Sequence, residues 1–303
     1  MLAVAATADF WRWQPHPEVW LLVAALAAGY WYAVRAIGRR AVPRGRRAVT
    51  TGQVAWFAGA LVVLEVAADW PMHDVAEEYL YSVHMVQHLL LTFVLPPMVL
   101  LATPEWLARL VVGDGRAWRW VRRLARPVVA GLVFNLLVAV SHWPAFVNLS
   151  VSSGPVHYGA HVVLVTAALL MWVPVAGPFP ELRISLPGQM VYLFLMSIIP
   201  TIPAAWLTFA DGVLFSAYDT PYRLWGVTVA SDQQAAGLIM KLGGGAYLWT
   251  LITMLFFRWA ARHYEADKAG VPLSERDVLT WEEVKAELDR LGPAPRPTTP
   301  NGS

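Results

Sequence analysis

The sequence predicts an all-α protein, a polytopic membrane helical bundle with about seven transmembrane helices. Of its 303 residues, 57% are hydrophobic and only 15% are charged, whereas a soluble chain carries about 25% charged residues. The 16 tryptophans are typical of aromatic belts at membrane interfaces. Apolar stretches of the length that crosses a bilayer, about 20 residues, fall at residues 17–37, 53–70, 79–102, 127–142, 157–175, 188–209 and 234–257.

The basic residues predict the orientation of this bundle. The connections after the first and third stretches hold six arginines each, within residues 35–47 and 109–126. With Arg183 and the seven basic residues after Phe257, 20 of the 23 basic residues fall on one side. Because basic loops stay in the cytoplasm, we expect the N-terminus outside and the C-terminus in the cytoplasm.

Residues 1–16 lack the basic start and long apolar core of a signal peptide, and we interpret them as a short extracytoplasmic segment before the first helix.

Two stretches contain prolines, which predict bent helices. The third stretch then contains Pro96 and Pro97, and the sixth contains Pro200 and Pro203. Proline removes a backbone hydrogen bond, which a membrane helix tolerates when neighbours satisfy the freed carbonyl.

The chain is expected to divide into a membrane domain and a tail. Residues 1–262 form the seven-helix transmembrane domain, in which the glycines at 243–245 permit close helix contact. Residues 263–303 form a cytoplasmic tail. Within it, a capping box at Thr280 predicts a short helix through Leu291, followed by a disordered, proline-rich end.

Two histidine pairs are the main indication of a functional site. His84 and His88 lie four residues apart in the third stretch, and His157 and His161 repeat this spacing at the start of the fifth. On a helix this spacing places both imidazoles on one face, and histidines in an apolar segment are unfavourable without a partner. Neutral imidazole suits copper, zinc and haem iron. If the two helices are neighbours, the four residues form a metal site near the outer face; the alternative is interface histidines bonded to carbonyls or lipid headgroups.

Other groups near the same outer layer are supporting candidates. Seven of the eight histidines fall at the outer ends of the predicted helices. Methionine thioethers favour Cu(I), although a methionine in a membrane helix commonly serves packing. A carboxylate can orient a ligand histidine through its second ring nitrogen. The supporting candidates are Met85, His142, His73, Asp232, Glu65 and Met240.

Several classes of function lack their motifs in this sequence. The absence of cysteine excludes disulfides, thiolate metal sites and thiol nucleophiles. Met85 stands where an HExxH protease motif has its glutamate, and neither a GxSxG nor a GxxxxGK[ST] motif occurs. The basic stretches are explained by topology, so nucleic acid is not an expected partner.

Four segments resemble a known family. These are HMVQHLLLTFVLPPMVLLATP from His84, SHWPAF from Ser141, the His157/His161 pair, and DQQ from Asp232 followed by AGLIM. Over about residues 56–259 the chain resembles the multi-span CtaG-type (caa-type) cytochrome c oxidase assembly proteins. The resemblance implies a multi-pass protein of the bacterial plasma membrane that serves maturation of a haem-copper oxidase through copper.

The predicted function is therefore copper binding by His84, His88, His157 and His161, and delivery of copper to a haem-copper oxidase subunit or another copper protein. This role is not enzymatic, and the site is expected to face the extracytoplasmic side. Three alternatives stay open: a bis-histidine haem protein, a zinc-dependent membrane hydrolase with Glu65 or Asp232 as base, and an assembly scaffold without a cofactor.

Overall fold

The computed structural model describes residues 12–43, 45–219 and 224–269, and within these residues the regular structure is helical. Residues 1–11 and the predicted tail helix at 280–291 lie outside the described residues. The chain divides into two units, Met1–Leu255 and Phe256–Ser303, and the site lies in the first. The helices are α1 (Pro17–Ala41), α2 (Thr51–Ala68), α3 (Met72–Glu78), α4 (Tyr81–Ala102), α5 (Glu105–Val112), α6 (Arg116–Leu124), α7 (Pro127–Ser141), α8 (Pro144–Ser152), α9 (Gly154–Ala176), α10 (Leu186–Ile198), α11 (Thr201–Thr208), α12 (Val229–Leu238) and α13 (Gly244–Ala269).

The number of spans agrees with the prediction of about seven. Six helices or continuous helix pairs are long and apolar enough to cross a membrane: α1, α2 with α3, α4, α9, α10 with α11, and α12 with α13. The seventh is α6 with α7, which pass the same test together but meet at an angle of 80°. The bend lies at Arg126, which has an extended backbone and precedes Pro127, the first residue of α7. A proline disfavours the helical conformation in the residue before it and is itself common at the first position of a helix.

The third and the last span begin a few residues away from their predicted starts. The third span begins at Tyr81 rather than residue 79, because Leu80 is extended. The last begins at Val229 rather than residue 234, since Thr228 accepts a hydrogen bond from the backbone N–H of Ser231 and caps α12. The sixth span is interrupted between α10 and α11, next to Pro200.

Helix α4 lies at the centre of the main unit. It packs against α2, α9 and α12, and 50% of its span is buried compared with 11% for α1. It contains a π-helical turn at Leu90–Val94, and Pro96 removes a donor to the carbonyl of Thr92. The indole N–H of Trp172 on α9 donates to that carbonyl at 2.9 Å. The freed acceptor is thus satisfied by a neighbouring helix, as membrane helices require.

Residues 214–218, between α11 and α12, pack against the starts of α4 and α12. Phe215 and Tyr218 are buried there against Tyr81, with ring centroids 4.7 and 5.1 Å from that ring. The backbone N–H of Leu214 donates to Gln233 Oε1 at 2.8 Å. Because α4 carries the first histidine pair, this segment covers one side of the site; we call this end of the bundle the histidine end.

Candidate metal centre

Packing of α4 against α9 brings the two histidine pairs together, as the sequence predicted for neighbouring helices. The ring centroids of His84 and His88 are 4.3 Å apart, and those of His157 and His161 are 4.5 Å apart. Across the helices, His161 lies 5.8 Å from His84 and 5.0 Å from His88. All four line one cavity, which we call the histidine cavity.

The potential ligand atoms form two overlapping groups. His84, His88 and His161 make the first, and Glu77, His157 and His161 make the second. Within each group, one atom from each residue lies within 4.8 Å of the others. His161 belongs to both, so the five side chains form one continuous set of donors.

Glu77 is the member of this set that sequence analysis missed. It lies near the end of α3, beside the break that precedes α4. Its Oε1 atom is 3.3 Å from His84 Nδ1 and 3.0 Å from His157 Nε2. In the sequence it is one of two adjacent glutamates outside the apolar stretch, without a spacing that relates it to the histidines. Only the turn between α3 and α4 brings it back over the site.

Glu77 is in close contact with one histidine from each pair. Its Oε1 atom, His84 Nδ1 and His157 Nε2 are buried and make no other hydrogen bond within the described part of the chain. The carboxylate therefore interacts there with His84 at 3.3 Å and with His157 at 3.0 Å. A carboxylate and imidazoles held this close are also suited to share a metal cation.

Neighbouring helices orient these ligands. His157 Nδ1 lies 3.2 Å from Ser150 Oγ on α8, which leaves Nε2 facing Glu77. A hydrogen bond through the second ring nitrogen is the usual way in which proteins orient a metal-binding imidazole. Tyr218 closes the opposite side, with its ring 6.5 Å from that of His84 and its hydroxyl donating to the carbonyl of Ala76.

Three of the supporting candidates lie together on the other side of His88. Met85, His142 and Met240 line a second cavity, which also contains His88 and Lys241; we call it the methionine cavity. The ring centroids of His88 and His142 are 6.2 Å apart. His88 is the histidine that lines both cavities.

The other supporting candidates belong to neither ligand group. Asp232 accepts hydrogen bonds from the backbone N–H groups of Tyr81 and Ser82, at 2.6 and 3.1 Å, and therefore caps α4. His73 Nδ1 lies 3.3 Å from the Gln87 amide nitrogen. Glu65 Oε2 is buried and lacks a partner within the described residues. Asp232 contributes to the site by fixing the helix that carries two ligands.

A second polar cluster lies close to the site, where His16, the residue before α1, meets His73 and Asp74 of α3. His16 Nε2 is 3.2 Å from Asp74 Oδ2, and its ring meets that of His73 edge to face at 4.9 Å. Burial opposes protonation of His16, but hydrogen bonds to Asp74 and Glu18 outweigh it and raise the pKa of His16.

Comparison with known proteins gives one family. A family model described as the cytochrome c oxidase caa3 assembly factor, Caa3_CtaG, matches residues 28–262, well over half of the 303 residues. The match includes all five side chains of the two ligand groups. No curated protein and no solved structure matches the chain.

Proposed function

The chain belongs to the family of cytochrome c oxidase caa3 assembly factors, and from this premise we propose that its five-residue cluster binds copper and makes it available to the oxidase or another copper protein. The ligands are His84, His88, His157 and His161, as the sequence predicted, together with Glu77. Copper is here the cargo of the protein.

One observation carries this proposal. Two groups of potential ligands, His84/His88/His161 and Glu77/His157/His161, each place one donor atom per residue within 4.8 Å of the others. They share His161, so five side chains with metal-binding chemistry converge in one place. Imidazole and carboxylate are both common ligands of metal ions in proteins.

The chemistry of the donors fits transient copper binding. Imidazole binds copper well, and the cysteine-free sequence supplies no thiolate that would hold the metal permanently. His84 and His157 are buried, whereas His88 and His161 are partly exposed. A site of exchangeable ligands that keeps some access suits a protein that must release its metal. The arginine pattern supports placing this end of the bundle at the extracytoplasmic face.

Metal analysis of the detergent-purified protein tests the proposal. We expect about one or more equivalents of copper in the wild type, lost from the histidine cavity in His84→Ala/His88→Ala, with membrane insertion retained. His263→Ala is the matched control, since His263 bonds the carbonyl of Trp259 in its own helix. A wild type that stays copper-free after anaerobic Cu(I) loading would support a scaffold without cofactor, and a Soret band would support haem.

Zinc chemistry is a second candidate, favoured by the Glu77/His157/His161 group. Two histidines and one glutamate are the ligands of several zinc hydrolases. Such a site holds a water at a fourth position and needs a general base. Zinc at one equivalent, with hydrolysis that stops on chelation and returns with zinc, would select this function over copper delivery.

A further inference from the structure

We propose that the methionine cavity is a second, separate binding position for Cu(I), formed by His88, His142, Met85 and Met240; this inference rests on the proposed copper-binding function and adds a site to it. The position lies on the far side of His88 from Glu77. A neutral imidazole has one lone pair and binds one ion, so when both positions are filled His88 belongs to the second, and Glu77, His84, His157 and His161 hold the first. The second position differs from the first site in its ligand chemistry.

His142 supplies the first observation. Its Nδ1 atom is 2.7 Å from the carbonyl oxygen of Val138, and a carbonyl only accepts, so Nδ1 carries the proton. The lone pair of the neutral ring is then on Nε2. This nitrogen is buried and lacks a hydrogen-bonding partner among the described residues, in a side chain that is 3% exposed. A backbone carbonyl on the second nitrogen is how metal-bound imidazoles are commonly held.

The distance to His88 is the second observation. Two imidazoles that bind one ion from opposite sides have ring centroids about 6 Å apart, given metal–nitrogen bonds of about 2.0 Å. The rings of His88 and His142 are 6.2 Å apart with an interplanar angle of 85°. Both rings line the same cavity, so an ion between them is enclosed by protein.

The thioethers give the position its preference for Cu(I). Met85 and Met240 are 2% and 7% exposed and line this cavity. A third methionine there, Met196, already accepts a hydrogen bond from Asn135 at its sulfur. No carboxylate is among the residues that line the cavity. Neutral imidazole and thioether ligands suit monovalent copper, whereas a dication with neutral ligands is unfavourable in a low-dielectric interior.

The backbone around the cavity is irregular near both of the proposed methionine ligands. The π-helical turn Leu90–Val94 follows His88 in α4, and the turn Ile239–Gly243 contains Met240 and packs against the first part of α4. Such turns occur frequently at functional sites in helices.

Lys241 limits how far a cation can travel in this cavity. Its Nζ atom donates to the carbonyl of Ser197 and to Thr201 Oγ1, at 3.2 and 2.5 Å, and the residue lines the same cavity. An ammonium group repels a metal cation strongly in a low-dielectric interior. The second position is therefore confined to the side of His88 and His142.

The test combines copper stoichiometry with X-ray absorption of the full-length protein in detergent, loaded anaerobically with Cu(I). We expect two equivalents in the wild type with copper–sulfur scattering. Met85→Leu/Met240→Leu, which conserves volume, should retain one equivalent with nitrogen and oxygen ligands alone. Met254→Leu is the control because Met254 is 61% exposed and lies outside the cavity.

His142→Gln should likewise reduce two equivalents to one, and Glu77→Gln should leave the copper–sulfur scattering in place. A wild type with one equivalent and no copper–sulfur scattering would overturn the second position while leaving the proposed function intact. Copper–sulfur scattering that persists in the double methionine variant would also overturn it. Absence of any bound copper would overturn both.

Discussion

At the scale of single residues, the site depends on one carboxylate whose surroundings the sequence does not reveal. Glu77 faces His84 and His157 at 3.3 and 3.0 Å. It brings a carboxylate to a cluster that otherwise consists of imidazoles. A carboxylate there lowers the net charge of a bound metal site, which stabilises it in an apolar environment.

We expect Glu77→Gln to weaken copper binding at the histidine cavity by at least tenfold, because the amide keeps the shape of the side chain and removes its charge. Competition with a Cu(I) or Cu(II) chelator measures the change in Kd. Glu78→Gln is the matched control, since Glu78 is the exposed neighbour. Equal affinity in the Glu77 variant and the wild type would remove Glu77 from the ligand set.

His16 gives a prediction for pH dependence. Its pKa is raised in the folded protein by hydrogen bonds to Asp74 and Glu18 that outweigh burial. The stabilising contribution is therefore fully present below the unfolded pKa, about 6.5, and is lost as pH rises through the raised folded pKa. His16→Gln should lower the thermal midpoint more at pH 5.5 than at pH 9. An equal decrease at both pH values would contradict this.

At the scale of the helix, Asp232 fixes the start of α4 from a different helix. The first backbone N–H groups of a helix have no partner within it, and a carboxylate at this end interacts favourably with the helix dipole. Asp232 accepts from two of these groups, although it lies 151 residues from Tyr81. Asp232 is part of the DQQ segment on which the family resemblance rests, and its capping of α4 accounts for its position there without metal binding.

Asp232→Ala should lower the free energy of unfolding by about 1–2 kcal/mol, the usual effect of removing a capping group, and Asp211→Ala, at an exposed position, should not. Thermal unfolding in detergent measures the difference. Copper stoichiometry should be kept at temperatures where the Asp232 variant is folded. Loss of copper from a fully folded variant would instead indicate a direct ligand.

Contact between α11 and α12 depends on a glycine. A Cβ atom at Gly237 would lie 2.7 Å from the carbonyl oxygen of Ala204 and 2.9 Å from the backbone nitrogen of Thr208. Gly237→Ala should therefore destabilise the protein by about 1–3 kcal/mol through overpacking. Gly159→Ala meets nothing within 4 Å and should be neutral or stabilising by up to about 1 kcal/mol. Thermal midpoints of the two variants that agree within error would refute this account.

At the scale of the whole molecule, the arginine distribution and the histidine end make a joint prediction about topology. The sequence has no cysteine, so single cysteines can be introduced as reporters. In intact cells, a membrane-impermeant maleimide should label Asp211→Cys at the histidine end and should leave Asp114→Cys, in the arginine-rich connection, unlabelled. Both positions are exposed, and both should react after the membrane is permeabilised. The reverse pattern would invert the orientation.

Much of the fold could be predicted because a membrane imposes simple rules on sequence. Apolar length predicts spans, and it located the third and fifth spans within three residues of their observed starts. Apolar length did not reveal that the span of α7 forms a bent pair with α6, because hydropathy carries no information on helix angle. The irregularity of the sixth span at Pro200 was predicted from its prolines instead. The spacing of His84 with His88 and of His157 with His161 identified four side chains of the site from helical geometry alone.

The sequence by itself determined that this is a helical membrane protein with two histidine faces, since hydropathy and helical periodicity are local properties of the chain. Only the tertiary structure decided that α4 and α9 are neighbours, that Glu77 turns back over the imidazoles, and that Asp232 is a cap. It also separated His142, Met85 and Met240 into a second cavity across His88. These relations join residues up to 151 positions apart, and contacts of that range are set by how helices pack rather than by any pattern within one of them.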